Sequence, residues 1–244
     1  MKLTGNKIIL TGATSGVGLA LLERLRAEGN RLVAIGRNPE RIEALRRQYP
    51  DVTFLRGNLA LASEVAALAD ELRRHHADAN WLINNAGVQY NYVLGETPAD
   101  PQRIPGEIGT NLTAAIQLCE ALIPSLKTKN EALIVNVTSG LALSPKRSAP
   151  VYCATKAGLR LFTKALRYQL EGSSVRVVEL MLPLVDTPMT AGRGRGKLSP
   201  EAVAEALMDG LRKNRNEIYP GKAAIFRHLH RWLPGLADRM LKNG

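Results

Sequence analysis

Along this chain, short continuous apolar runs alternate with longer stretches in which apolar residues recur at three- and four-residue spacing. The runs at 7–11 (KIILT), 31–35, 52–56, 81–84, 132–137 (ALIVNV), 175–181 (VRVVELM) and 217–219 predict strands. Because they are apolar at consecutive positions, they read as parallel strands covered on both faces. Between them, helical spacing predicts helices after residue 18 (Leu19, Ala20, Leu22, Leu25), from Pro39 to about Gln48, over 61–76 (Val65, Leu68, Leu72), over 107–126, over 152–171 and from Ser199 to about Arg212. Residues 90–106 are irregular and proline-bearing, placed over the sheet edge, and 191–197 (AGRGRGK) read as a mobile lid within 188–198. From Lys222 the pattern is that of one or two basic amphipathic helices broken at Pro234. The alternation predicts an α/β fold: one domain over residues 1–244, built on a doubly wound parallel sheet of about seven strands with helices on both faces.

Composition narrows this picture. The 244 residues suffice for one large core, 45% are apolar, and no apolar run approaches the roughly 18 residues of a membrane span. The first 16 residues lack the apolar core of a secretory signal, so the expected location is the cytoplasm. Cys119 and Cys153 form no CxxC pair, and His75, His76, His228 and His230 have no ligand spacing, so no metal is expected and the histidines read as surface residues. Thirty-three basic against 22 acidic residues give a net charge of +11, much of it on solvated helix faces. The stretches 193–197 and 222–242 depart from that pattern; a nucleic-acid partner is not expected.

Candidate chemistry lies at the strand ends. Gly12-Ala13-Thr14-Ser15-Gly16-Val17-Gly18 stands between a strand and a helix, where backbone N–H groups at a helix N-terminus favour a phosphate. The second strand runs into Gly36-Arg37-Asn38 with no carboxylate to hold a ribose diol, and Arg37 supplies paired donors for a 2′-phosphate, which favours NADP(H) over NAD(H). Asn84-Asn85-Ala86-Gly87 ends the fourth strand with small residues, and Asn111 sits in an apolar helix where it needs a partner. Ser139 follows the 132–137 run at the carboxyl edge of the sheet. Tyr152 and Lys156 are four apart and share a helix face, so an ammonium beside the phenol is expected to lower its pKa and make Tyr152 a proton donor.

In this order the motifs resemble those of the short-chain dehydrogenase/reductase family over nearly the whole chain, and 137–142 with 150–157 are similar to the DltE-like oxidoreductases of bacteria. The resemblance implies a Rossmann fold and hydride exchange between NADP(H) and the carbonyl or alcohol group of a small molecule. It assigns Tyr152 as acid/base, Ser139 to the substrate oxygen, Lys156 to the nicotinamide ribose and Asn111 to a water path. It places the cofactor on the glycine turn, Asn58, Leu59, Asn85, Ala86, Gly87, Pro183, Val185 and Thr187, with Tyr152 and Lys156 at its nicotinamide end. Two positions depart from the family pattern: Asn58 stands for an aspartate and Leu184 for a glycine.

A reductase of 3-oxoacyl thioesters on an acyl-carrier protein is the enzymatic alternative, and a nucleotide-sensing or membrane-surface protein that kept the fold is the alternative of another class. The substrate pocket is expected from 89–106 and 189–198, and a homodimer or homotetramer from helices 107–126 and 154–171. In the tail, a stripe of Ile225, Leu229, Trp232 and Leu233 opposite Lys222, Arg227, His228 and Arg231 is expected to pack internally, or on a neighbouring subunit near the pocket, in preference to a membrane surface.

Overall fold

The computed structural model describes residues 2–98 and 100–243; Met1, Ala99 in the irregular stretch and Gly244 at the end of the basic tail lie outside the described residues. Seven parallel strands form one sheet in the order β3-β2-β1-β4-β5-β6-β7. They are β1 (Lys7–Thr11), β2 (Arg31–Gly36), β3 (Thr53–Arg56), β4 (Trp81–Asn84), β5 (Ala132–Ser139), β6 (Val175–Leu182) and β7 (Glu217–Ile218). The intervening helices are α1 (Gly16–Ala27), α2 (Pro39–Gln48), α3 (Ala62–His75), α4 (Arg103–Ile108), α5 (Ala114–Leu126), α6 (Pro150–Gln169) and α7 (Pro200–Arg212), followed by α8 (Lys222–Trp232) and α9 (Pro234–Lys242).

Both faces of the sheet are apolar because consecutive strand residues point to opposite sides. Ile8 and Leu10 pack with Leu21, Leu25, Leu207 and Leu211 from α1 and α7, whereas Ile9 packs with Leu68, Leu72, Leu118 and Leu166 from α3, α5 and α6. This is the doubly wound arrangement that the continuous apolar runs predict. The strand order reverses between β1 and β4, whose ends carry Thr11 and Asn84. In such sheets the crevice beyond the carboxyl ends at this point receives ligands.

Three elements differ from expectation. The helix over 107–126 begins four residues earlier, at Arg103, and it is interrupted by a π-turn over Gly109–Thr113 that carries Asn111. At Gly109 a side chain would meet the Ala60 carbonyl at 3.0 Å, so the glycine lets the widened turn lie against the loop after β3. The stretch 188–198 that reads as a lid is tethered at its base. Val185 and Leu198 form a parallel bridge, Asp186 N–H donates to Leu198 O at 2.8 Å, and Lys197 Nζ reaches Thr190 O at 2.8 Å.

In the tail the break falls at Pro234 as expected, but the predicted stripe does not pack inward. Ile225 is 72% and Trp232 73% exposed, and Leu233, Leu236 and Met240 are exposed beside them. The inward face is instead Ala223, Phe226, His230 and Ala237, small or half-buried residues one face round, with Leu229 at its margin. A hydrogen bond from Arg147 N–H to Lys242 O at 3.0 Å ties α9 to the loop before α6. On α6 itself, Leu161 and Tyr168 stay exposed. Among the described residues no helix is long and apolar enough to cross a membrane.

Candidate active site

The glycine turn and the end of β4 are built against each other. Gly12 has a φ of +67°, and a side chain there would reach 2.8 Å from the Ala86 Cα. At Gly18 an added methyl would lie 2.0 Å from the Gly12 carbonyl, so helix α1 can begin this close to the turn only with glycine. Thr11 Oγ1 accepts hydrogen bonds from Asn85 and Ala86 N–H, both at 3.0 Å, and Asn85 Nδ2 donates to Thr11 O at 3.0 Å and Gly12 O at 3.2 Å. The small residues that end β4 are therefore pinned across the strand-order reversal. Arg37 follows β2 at the far end of the same cleft.

Ser139 is the last residue of β5, and Tyr152 and Lys156 lie one turn apart near the start of α6; all three are buried. Ser139 Oγ accepts from Leu141 N–H at 3.2 Å, and its hydroxyl stands close enough to the Tyr152 phenol to lower it. Lys156 Nζ donates to Val137 O at 2.9 Å and stands 5.9 Å from the centre of the Tyr152 ring. Asn111 Oδ1 accepts from Val88 N–H at 2.8 Å, and its Nδ2 donates to Val88 O at 2.9 Å and Thr155 Oγ1 at 3.1 Å. This clamp holds the segment after Gly87 against α6. Gly87 itself faces the gap between Asn111 and Lys156, where a side chain would come within 3.4 Å and 3.5 Å of their polar atoms.

One expectation about charge is overturned. Burial pushes the Tyr152 phenol up to about 12, and the Ser139 hydroxyl and the Arg193 guanidinium offset this only in part. The lysine does not lower it. Burial lowers Lys156 in turn, to about 8, with no carboxylate beside it. The reason is geometric: the ammonium is directed at a backbone carbonyl rather than at the phenol oxygen. A phenol held this high stays protonated at neutral pH, which is the form a proton donor needs. Glu107, a further residue that the sequence reading passed over, is buried below the site with its carboxyl pushed up by burial and Oε1 accepting from Tyr90 N–H at 3.1 Å.

A cleft of about 930 Å³ joins these parts. Every residue predicted for the cofactor lines it: the glycine turn, Arg37, Asn58, Leu59, Asn85, Ala86, Gly87, Tyr152, Lys156, Pro183, Val185 and Thr187. Asn111 stands just behind the wall. The expected stretch 189–198 lines the cleft, but of the described residues in 89–106 only Gln89 does, whereas α8 and α9 supply Phe226, Leu229, Met240 and Leu241. The pocket loop was thus misplaced, because an amphipathic tail carries no signal of which cavity it covers. Leu184 lines the cleft, and His76 is half-buried rather than on the surface, its pKa lowered by burial.

The family model for short chain dehydrogenases matches residues 6–197. The chain belongs to the short-chain dehydrogenase/reductase family. The uncharacterized oxidoreductase DltE of Bacillus subtilis is 35% identical over 225 residues, 89% of each chain, in keeping with the resemblance of 137–142 and 150–157. Among solved structures, a short chain dehydrogenase from Burkholderia cenocepacia in complex with NADP superposes with a TM-score of 0.87 at 26% identity, over 100% of both chains. A family member from Burkholderia phymatum in complex with NAD gives a TM-score of 0.82 at 23% identity over 96% of each chain, a likeness of fold.

The buried ammonium of this dehydrogenase/reductase yields a stability prediction. Lys156 is lowered from 10.5 to about 8, so the folded state resists its charge; the cost is fully present below pH 8 and fades as pH rises toward 10.5. Lys156→Met is expected to stabilise the fold by about 2 kcal/mol at pH 6.5, after allowance for the lost bond to Val137 O. Thermal melts of both proteins across pH 6.5 to 10.5 check it: the gain should shrink with rising pH, and a variant that melts lower at pH 6.5 refutes it.

Proposed function

We propose that the protein is an NADP(H)-dependent oxidoreductase that exchanges hydride between the nicotinamide and a carbonyl or alcohol carbon, with Tyr152 as the general acid or base. The observation that carries this reading is the convergence of Ser139, Tyr152 and Lys156 on one wall of the cleft whose opposite end is the glycine turn and Arg37. The clearances at Gly12, Gly18 and Gly87 fit a dinucleotide laid along the sheet edge, its phosphates on the N-terminus of α1. A nicotinamide bound there supplies or accepts the hydride. Ser139 Oγ holds the substrate oxygen, Tyr152 Oη gives it a proton in the reductive direction, and the phenolate left behind is stabilised by the Ser139 hydroxyl and the Arg193 guanidinium. Lys156 binds the ribose and Asn111 orders the segment along which the site is reprotonated. A protein that only sensed a nucleotide would have no use for a buried, protonated phenol beside a serine hydroxyl.

The preference for NADP(H) rests on Arg37 and on the cleft lining, which among the described residues contains no aspartate or glutamate to repel a 2′-phosphate. The NADP complex of the Burkholderia cenocepacia relative agrees with it.

Tyr152→Phe is expected to lower turnover of any reducible carbonyl compound at least a thousandfold while NADPH affinity stays within about threefold, since only the proton donor is lost. Stopped-flow and fluorescence titration measure the two quantities; retained turnover would move the chemistry to another residue. Arg37→Ala is expected to weaken NADPH by about 1.5 to 3 kcal/mol and leave NADH unchanged. Equal affinities of the wild-type protein for the two cofactors would contradict the preference.

A further inference from the structure

Beyond the residues assigned to cofactor and proton transfer, five cations line the same cleft: Lys146, Arg193, Arg195, Lys197 and Lys222. Among the described residues no acidic side chain lines it with them. Lys197 is neutralised from outside by Asp186 at 3.1 Å. Lys146 and Arg193 are different: both are half-buried, and among the described residues neither side chain has an ion pair or hydrogen bond with the protein. They stand in each other's field, because Lys146 is lowered first by burial and then by the Arg193 charge. Arg193 is also close enough to the Tyr152 phenol to lower it. Two desolvated like charges with no counterion are unfavourable unless an anion is to sit between them. Around them the cleft wall is apolar, made by Leu141, Leu184, Met189, Phe226, Leu229 and Met240.

We propose that the substrate is an amphipathic anion: a carbonyl compound, or its alcohol, whose carboxylate or phosphate is held between Lys146 and Arg193 beside Tyr152 and whose apolar remainder lies against Leu184, Met189 and α8. The assignment rests on the reading of Tyr152 as the acid at the reacting carbonyl. The two cations do not serve the cofactor's phosphates, which belong with the glycine turn and Arg37 at the opposite end. Their partial burial inside the cleft also sets them apart from the exposed rim that an acidic carrier protein would touch.

The test compares initial rates of NADPH oxidation with 4-oxodecanoate, 4-oxodecyl phosphate and methyl 4-oxodecanoate. One of the two anions should exceed the ester in kcat/KM by about ten- to a hundredfold, the range of a charge-assisted contact, and the better anion identifies the headgroup. Lys146→Met and Arg193→Met should each bring that ratio close to one while NADPH titration stays unchanged. Equal rates for acid, phosphate and ester in the wild-type protein would overturn the proposal. So would Arg193→Met that loses NADPH affinity yet keeps the preference, or a preference seen only when the acyl group is presented on an acidic carrier protein. If none of the ketones is reduced, fluorescence titration of the NADPH-bound protein with decanoate, decyl phosphate and methyl decanoate separates the two readings. Anion binding that Lys146→Met removes upholds the anion site and sinks the reductase reading, and absence of binding by either anion sinks the site.

Discussion

The structure depends on a seam of buried hydrogen bonds between strand β5 and helix α6. Strand β5 is covered on both sides, yet it carries Asn136 and Thr138 and presents the Val137 carbonyl toward the helix. Asn136 accepts from Asn84 at 2.8 Å and donates to Thr163 at 2.9 Å; Thr138 donates to Glu179 at 2.6 Å, whose other oxygen takes Arg160 at 2.8 Å; Val137 O takes Lys156 at 2.9 Å. Lys156, Arg160 and Thr163 are spaced by four and three, so one face of α6 supplies all three partners. Each bond left unmade in so dry a place would cost about 1–3 kcal/mol. A slip of α6 by one residue would break all of them together, and the register that satisfies them is the one that brings Tyr152 to Ser139.

That seam also explains why the site can hold unfavourable charges. Lys156 is kept charged where burial opposes it, and a phenol is kept neutral far above neutral pH, because the helix that carries both is fixed by Arg160, Thr163 and an apolar face that includes Leu159 and Leu166. Among the described residues Lys146 and Arg193 at the cleft wall have no protein counterion, which the proposed anion beside Tyr152 would supply. Stability has been conceded where ligands bind.

The fold was legible because parallel strands covered on both faces leave unbroken apolar runs; β1, β4 and the break at Pro234 fell where the pattern put them, and the other strand ends within a residue or two. The site was legible wherever backbone demands particular residues. Gly12 and Gly18 are needed by close approach, and Ser139, Tyr152 and Lys156 by a strand end and a helix turn. What the sequence hid was tertiary. The π-turn at Asn111 has no local signature, and the inward faces of α8 and α9 are set by small residues, Ala223 and Ala237, rather than by the larger stripe that periodicity selects. The direction of the Tyr152 shift was missed because spacing places an ammonium near a phenol without saying that it points at Val137 O. Arg193 lay in a stretch set apart from solvated charge, but nothing local joined it to Lys146, 47 positions earlier; the fold puts both in the cleft with Tyr152.

The claim on which all of this turns is that Tyr152 is a neutral, buried phenol that gives up a proton only within the assembled site. Its ionisation can be followed directly by 13C NMR of protein labelled at tyrosine Cζ, with Tyr152→Phe used to assign the signal. The account predicts that in the free protein this signal stays in its protonated position through pH 10, above the ordinary tyrosine midpoint, as burial to about 12 requires. A Tyr152 signal that titrates below pH 9 in the free protein would contradict it.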